Sequence, residues 1–391
     1  MTGTGIAAII CLALTLINLA SLAIALRRLG RPDPEPAGGA EGPVTIVRPV
    51  CGLETYSEET LLSGFRLAYP AYELIFCVAR ATDPIVPLVE RLIAGHPSVP
   101  ARLIVGDERV SDNPKLNNCI RGWEAARHDW IVLADSNVLM PPDYIQRLRA
   151  AWRPNTGLVC STPVGTRPGS FWAEVECAFL NTLQARWQYV GEALGLGFAQ
   201  GKSMLWHRPL LEAKGGIRAL GAEIAEDAAA TKLVRAMGRQ VHLVASPFAQ
   251  PLGPQRAAEV WSRQLRWARL RRVTFPLFFA PEIGTGAVIP MLAAYPAAGG
   301  GLSGLAAMLG TGAVWYGAEW RLAARNGWPR SWRWPLVCLA RDLLFVPIWL
   351  AAWVARDIVW RGNSMDIRTK DLRTKDLRTK PAGLGTDATA A

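Results

Sequence analysis

Residues 5–26 form an uninterrupted run of about 22 uncharged, mostly apolar side chains. As a helix rising ~1.5 Å per residue, such a run matches roughly 30 Å of bilayer hydrocarbon. Hydrocarbon cannot satisfy backbone polar groups, so a segment of this kind has to be helical. Secretory leaders carry basic residues ahead of their apolar stretch, and Met1-Thr-Gly-Thr4 has none. The cations follow instead, as Arg27, Arg28 and Arg31. That order predicts an uncleaved transmembrane anchor over 4–26, amino terminus outside. The remainder is then expected on the cytoplasmic face of an inner (cytoplasmic) membrane.

Residues 27–43 are rich in proline and glycine and predict a linker. From Val44 onward, short apolar runs alternate with helical stretches. Strands are expected at 44–47, 73–79, 102–105, 130–134 and 158–161, and helices at 58–67, 85–94, 116–126 and 144–152. This alternation predicts an α/β domain over 44–274 with a mostly parallel central sheet covered on both faces. Sheets of that type bind ligands beyond the carboxyl ends of their strands. Apolar character returns afterwards: 280–296 and 302–317 flank Ala298-Gly-Gly-Gly301, and 334–354 forms a further candidate span. Residues 275–357 therefore read as a membrane region of two or three spans. Arg341 and Asp342 fall inside the last of these, either as a packing ion pair or as the wall of an acceptor path. In 358–391 the motif Asp-x-Arg-Thr-Lys recurs at Asp366, Asp371 and Asp376. That period is too short for a packed repeat and predicts a disordered tail, with adhesion to a lipid surface as the alternative.

The formal charge of +11 is concentrated beside apolar segments, and no nucleic-acid motif accompanies it. Anionic lipid headgroups, rather than nucleic acid, are the expected partner. Seven cysteines without Cys-x-x-Cys spacing read as reduced, buried small hydrophobes.

Asp135-Ser-Asn137 ends one expected strand. Asp135 suits the anionic ligand of a hard divalent cation, Mg²⁺ or Mn²⁺, and Asn137 a neutral oxygen ligand; a helix cap is the alternative. Asp83 follows another strand and can accept hydrogen bonds from a nucleoside or cap a turn. Lys115, in Asn113-Pro-Lys-Leu-Asn-Asn118, precedes a helix and either reaches a phosphate or lies on the surface. Glu226-Asp227 opens a helical stretch. A carboxylate there can take the proton of an attacking hydroxyl, or simply complement the helix dipole. Arg263, Arg266 and Trp267 lie in a basic helical segment, 257–273, suited to gripping a diphosphate and to resting on a membrane surface. Arg269, Arg271 and Arg272 of that segment are expected to seat the domain on anionic lipid.

Taken in order, these residues resemble the ceramide glucosyltransferase family of inverting GT-A glycosyltransferases, family 21, related to family 2. The resemblance rests on Asn113-Pro-Lys-Leu-Asn-Asn118, Ala134-Asp-Ser-Asn137, Gly201-Lys-Ser-Met204, Gly215-Gly-Ile217 with Ile224-Ala-Glu-Asp227, and Arg263-Gln-Leu-Arg-Trp267. It implies a GT-A domain with UDP-glucose as donor, bound by Asp83, Lys115, Asp135, Arg263, Arg266 and Trp267. It further implies a divalent cation on Asp135 and Asn137, Asp227 as catalytic base, and ceramide as the membrane lipid acceptor. Asn137 stands where many such transferases have a second aspartate, so coordination would be weaker or completed by water. The region 184–201, with Trp187, Tyr189 and the run Ala193-Leu-Gly-Leu-Gly197, leaves the acceptor open to diacylglycerol or a hopanoid, receiving one sugar or several. A processive polysaccharide synthase shares the aspartates but needs more spans for its channel. A non-catalytic scaffold would be expected to lack one of Asp135, Asp227 or Arg266.

Overall fold

The computed structural model describes residues 2–31, 42–354, 357–360 and 363–366. The expected α/β alternation builds a seven-stranded sheet from β1 (Val44–Pro49), β2 (Tyr72–Val78), β3 (Ala101–Val105), β4 (Trp130–Ala134), β5 (Thr156–Ser161), β7 (Ser203–His207) and β8 (Gln240–Leu243). Their spatial order is β3-β2-β1-β4-β7-β5-β8. All pairings are parallel except those of β7, which runs antiparallel between β4 and β5. β7 and β8 were not expected from the pattern. Nor was a small parallel pair, β6 (Val164–Pro168) with β9 (Ala249–Gly253).

Successive side chains along a strand point to opposite faces, and both faces here are buried. Val47, Ile75, Ile131 and Leu133 face one core, while Ile46, Leu74, Phe76 and Val132 face the other. The connecting helices are α2 (Ser57–Ser63), α3 (Val86–Gly95), α4 (Pro114–Ala125) and α5 (Tyr144–Ala150). Leu116, Ile120 and Trp123 of α4 pack into the first core. Each such side chain contributes about 1.5–3 kcal/mol relative to exposure.

A long helical stretch follows, made of α6 (Phe171–Ala178), a π-helical segment over Phe179–Ala185, and α7 (Arg186–Ala193). α8 (Arg208–Glu212), α9 (Glu226–Ala236) and α10 (Ala257–Thr274) complete the domain. Beyond them lie α11 (Pro276–Phe279), α12 (Val288–Ala297), α13 (Gly301–Arg325) and α14 (Trp334–Val354).

The amino-terminal helix α1 (Gly3–Leu29) departs from a simple anchor. Its first half exposes Ile6, Ile9, Ile10, Leu12 and Leu16. Its second half buries Asn18, Ser21, Leu22, Ala25, Arg28 and Leu29. Arg28 therefore lies not in a linker but in the helix, where it pairs with Glu192 of α7 and donates to the Leu243 carbonyl at 2.8 Å. Most of the expected linker, 32–41, is outside the described residues. α1 and α14 are long and apolar enough to cross a membrane, and a third candidate, Pro276–Thr285 with Val288–Ala297, is bent by 53°.

Charges inside the helical bundle satisfy one another. Arg341 donates to Asp342 at 2.8 Å, to Glu319 at 2.7 Å and to the Thr182 hydroxyl at 2.7 Å, and all three charged side chains are fully buried. Arg186 joins the same Glu319 at 3.4 Å. Arg341 and Asp342 thus pack the bundle and do not line an acceptor path. The stretch expected as a disordered tail opens with an antiparallel pair, β10 (Asp357–Trp360) and β11 (Asn363–Asp366). The repeats beyond Asp366 are outside the described residues.

The Arg28–Glu192 pair joins α1 to the sheet domain, and removing one partner of a buried pair strands the other charge. Burial by itself raises the Glu192 pKa, but His242 and Arg28 overcome it and hold the carboxylate down at about 2. Arg28→Met should lower stability by roughly 3–5 kcal/mol, read as a drop in Tm of the detergent-solubilised protein. Adding Glu192→Gln should recover part of that loss; simple additivity of the two changes would show that the pair does not couple.

Candidate functional site

The chain runs from β1 through β2 to β3 on one side and then returns to place β4 on the other side of β1. Open α/β sheets bind ligands at such a reversal, beyond the carboxyl ends of the strands. A cavity of about 2000 Å³ opens there. Asp83, Lys115, Asp135, Asn137, Asp227, Arg263, Arg266 and Trp267 all line it. The fold thus gathers into one cavity the residues expected to hold the donor, the cation and the acceptor's proton.

Asp135 follows the last residue of β4, and the loop it opens is held from below by Arg48. That fully buried guanidinium donates to the carbonyls of Asp135 at 3.1 Å, Ser136 at 3.0 Å and Val138 at 3.1 Å. The Asp135 carboxylate meets Lys115 Nζ at 2.7 Å and Lys202 Nζ at 3.0 Å. Burial alone raises its pKa, but the two ammonium groups reverse this and hold it at about 2. Asn137 Oδ1 accepts from Lys202 Nζ at 3.1 Å. The Lys202 ammonium therefore sits between the two oxygens expected to hold a cation.

Lys115 opens α4. Asn113 caps that helix, its Oδ1 accepting from the backbone of Lys115 at 3.0 Å and Leu116 at 3.2 Å. The other end of the Asn113 amide donates to Glu226 Oε2 at 2.6 Å. Lys115 Nζ also meets Glu226 Oε1 at 2.7 Å, so one ammonium bridges the Asp135 and Glu226 carboxylates. Burial lowers the affinity of Lys115 for its proton, but the two carboxylates outweigh that effect and leave its pKa raised.

Asp227 stands beside Glu226 at the start of α9, and its Oδ2 accepts from the Gly201 amide at 3.2 Å. Burial first, and then the neighbouring Glu226 charge, raise its pKa to about 7, against the opposing pull of Lys115. Asp135 and Asp227 are thus driven in opposite directions.

The remaining residues are more committed to structure. Asp83 Oδ1 accepts from the Gly52 amide at 2.8 Å and the Ile85 amide at 3.0 Å, the turn-capping role open to it from sequence. Arg263 donates to Glu176 at 3.0 Å and to Gln255 at 3.2 Å. Trp267 packs against Leu180 and Leu252. Of the cations expected to meet lipid, Arg271 is held by Glu282 at 2.9 Å and Arg272 donates to the Trp353 carbonyl at 2.9 Å. Both are occupied by the protein itself.

The residue pattern assigned no role to Lys202, Asn113 or Arg48, and gave Glu226 one only together with Asp227, as a proton acceptor or helix-dipole partner. Lys202 and Asn113 lay within quoted motifs, and Glu226 adjoins Asp227. Arg48 sits in an otherwise apolar strand, where a buried cation calls for partners.

Two apolar helices and a charged cavity on a mostly parallel sheet describe a membrane protein of GT-A architecture. The family model for glycosyl transferase family 21 matches residues 6–372, and the chain belongs to that family. It is 28% identical over 254 residues to ceramide glucosyltransferase 1 of Caenorhabditis elegans, covering 64% of this chain and 53% of that one. A 99-residue segment is 40% identical to the ceramide glucosyltransferase of Komagataella phaffii, covering 24% and 19% of the two chains. The chain thus spans about half the length of the worm relative. Its fold is similar to that of a mannosyltransferase from Pyrobaculum calidifontis solved with GDP-Man and Mn²⁺, at a TM-score of 0.51 and 17% identity, covering 88% and 97% of the chains.

Gly201 lies where three elements converge. A Cβ there would stand 2.6 Å from Glu226 Oε1 and 2.8 Å from Lys115 Nζ. Gly201→Ala should therefore displace the buried pair and cost about 1–3 kcal/mol, read as a lowered Tm. An unchanged Tm would show that the cavity wall yields without loss.

Proposed function

We propose that this protein transfers glucose from UDP-glucose to the hydroxyl of ceramide or a similar membrane lipid, with inversion at the anomeric carbon. The observation that carries this reading is the pair of carboxylates in one cavity with opposed proton affinities, Asp135 at about 2 and Asp227 at about 7. Such splitting separates an electrostatic group from a proton acceptor. Asp227 accepts the acceptor hydroxyl's proton as the hydroxyl oxygen bonds to the anomeric carbon. The bond from that carbon to the diphosphate oxygen breaks on the opposite face, and UDP leaves with the electron pair. Lys115, Lys202 and Arg266 line the cavity and supply positive charge for the diphosphate.

The donor set also fits a divalent cation. Asp135 and Asn137 would hold it, with water completing the shell of a hard ion. When bound, it would supply further charge neutralisation at the diphosphate. The two oxygens already accommodate a cationic group, the ammonium of Lys202 at 3.0 and 3.1 Å. Lys202 is thus a competitor for the cation's place. Lys202→Met should tighten Mn²⁺ binding by roughly tenfold, measured by calorimetry without donor. Weaker binding in the variant would sink the assignment of Asp135 and Asn137. Membership of a cytoplasmic membrane, with the catalytic domain inside, is supported by the exposed Arg27 and Arg31 that follow the apolar part of α1.

Asp227→Asn should leave UDP-glucose binding nearly intact while lowering turnover by roughly a hundredfold or more. Because the base must be ionised, kcat/KM for the acceptor should rise with pH and level off above about 7. Glu226→Gln removes a negative neighbour, so Asp227 ionises more readily and the rising limb should move to lower pH. A limb that moves the other way, or an active Asp227→Asn enzyme, would mean that another group is the base.

A further inference from the structure

The cavity does not end at the charged residues. Leu14 and Ile17 of α1 also line it, together with Leu194 and Leu196 from the loop after α7 and Phe278 of α11. Four of these are exposed although they line a cavity: Ile17 by 52%, Leu194 by 61%, Leu196 by 48% and Phe278 by 56%. Large apolar side chains left open by three separate elements around one mouth mark a surface that meets something apolar. Their height on α1 is informative. Asn18 begins the half of α1 that is buried against the domain, whereas Ile9, Ile10, Leu12 and Leu16 remain exposed on the apolar half. Ile17 therefore stands where the membrane-exposed part of the helix meets the catalytic domain.

The same lip is tied to the chemistry. Arg235 of α9 donates to the carbonyls of Leu196 at 3.1 Å and Gly197 at 3.2 Å. Asp227 lies eight residues earlier on that helix, roughly 12 Å away along its axis. Gly197 permits the close approach of this loop to the sheet, since a Cβ there would stand 2.2 Å from the Val241 carbonyl. The glycine-spaced Leu194-Gly-Leu196 run thus holds two leucines outward on a loop anchored at both its neighbours.

We infer that this mouth is the entrance for a hydrocarbon chain of the acceptor. The chain stays between Ile17, Leu194, Leu196 and Phe278, at the level of the bilayer surface, while the hydroxyl headgroup reaches Asp227. Leaving the bilayer would expose each methylene to water, which a continuous apolar wall avoids. The inference rests on the lipid-acceptor reading proposed above, and the occupant it commits to is a single acyl or alkyl chain.

The test uses the full-length protein in phosphatidylcholine nanodiscs with a ceramide carrying a diazirine in its acyl chain. Light should label peptides containing Leu194–Leu196 or Leu14–Ile17, and excess unlabelled ceramide should suppress that label. Labelling confined to the exposed face of α13, or unaffected by competitor, overturns the entrance. Leu194→Glu with Leu196→Glu, on an exposed loop, should raise KM for long-chain ceramide by roughly tenfold while leaving a short-chain soluble analogue within about twofold. Equal loss on both acceptors also overturns it. Absence of glucose transfer to any ceramide by the unaltered enzyme would instead count against the proposed function, and the competed photolabel would still decide whether this mouth holds a lipid chain.

Discussion

One ammonium group organises the charged end of the cavity. Lys115 Nζ touches Asp135 after β4 and Glu226 at the start of α9, each at 2.7 Å, and its own backbone is capped by Asn113. Three segments distant in sequence are held by that contact. Removing the cation would leave two buried carboxylates facing each other beside Asp227, a costly arrangement in a medium of low dielectric. The contact also separates the roles of the acids. Asp135, with two lysines, keeps its charge, while Asp227 has its proton affinity raised by burial and by Glu226 against the pull of Lys115. Its alignment depends on the Gly201 amide, and only glycine leaves room there.

A second charged assembly joins the membrane helices to the domain. Glu319 receives both Arg341 and Arg186, and Arg186 also reaches Asn18 of α1. Charges at such a level are expensive unless every one is paired and hydrogen-bonded. Here the pairing partners come from α1, the π-helical segment, α7, α13 and α14. The wide turn of the π-helical segment is a place where a helix commonly deviates for function. It turns Thr182 toward Arg341 while Leu183 and Gln184 line the cavity. Bundle and cavity therefore share one helical stretch.

Much of this protein was legible from residue order alone. The strands β1 to β5 follow from short apolar runs, because a strand buried on both faces must be apolar throughout. The candidate spans α1 and α14 follow from length and hydropathy, whereas the span expected at 302–317 falls in α13, which is not apolar enough to count as one. Asp83, Lys115, Asp135, Asn137, Asp227, Arg263, Arg266 and Trp267 were singled out by short motifs, and the fold places all of them along one cavity. What the tertiary structure alone decided is who meets whom. No pattern places β7 antiparallel between β4 and β5, since its pairing depends on contacts far along the chain. That insertion is what brings Gly201 and Lys202 beside Asp135. Arg271 looked free for lipid until Glu282 was seen beside it, and Arg28 looked like a linker cation until Glu192 was found to bury it. Local sequence sets propensity, apolar period and the presence of a charge. Partner choice, and with it the direction in which a buried acid's pKa moves, depends on distance and desolvation, which exist only once the chain has folded.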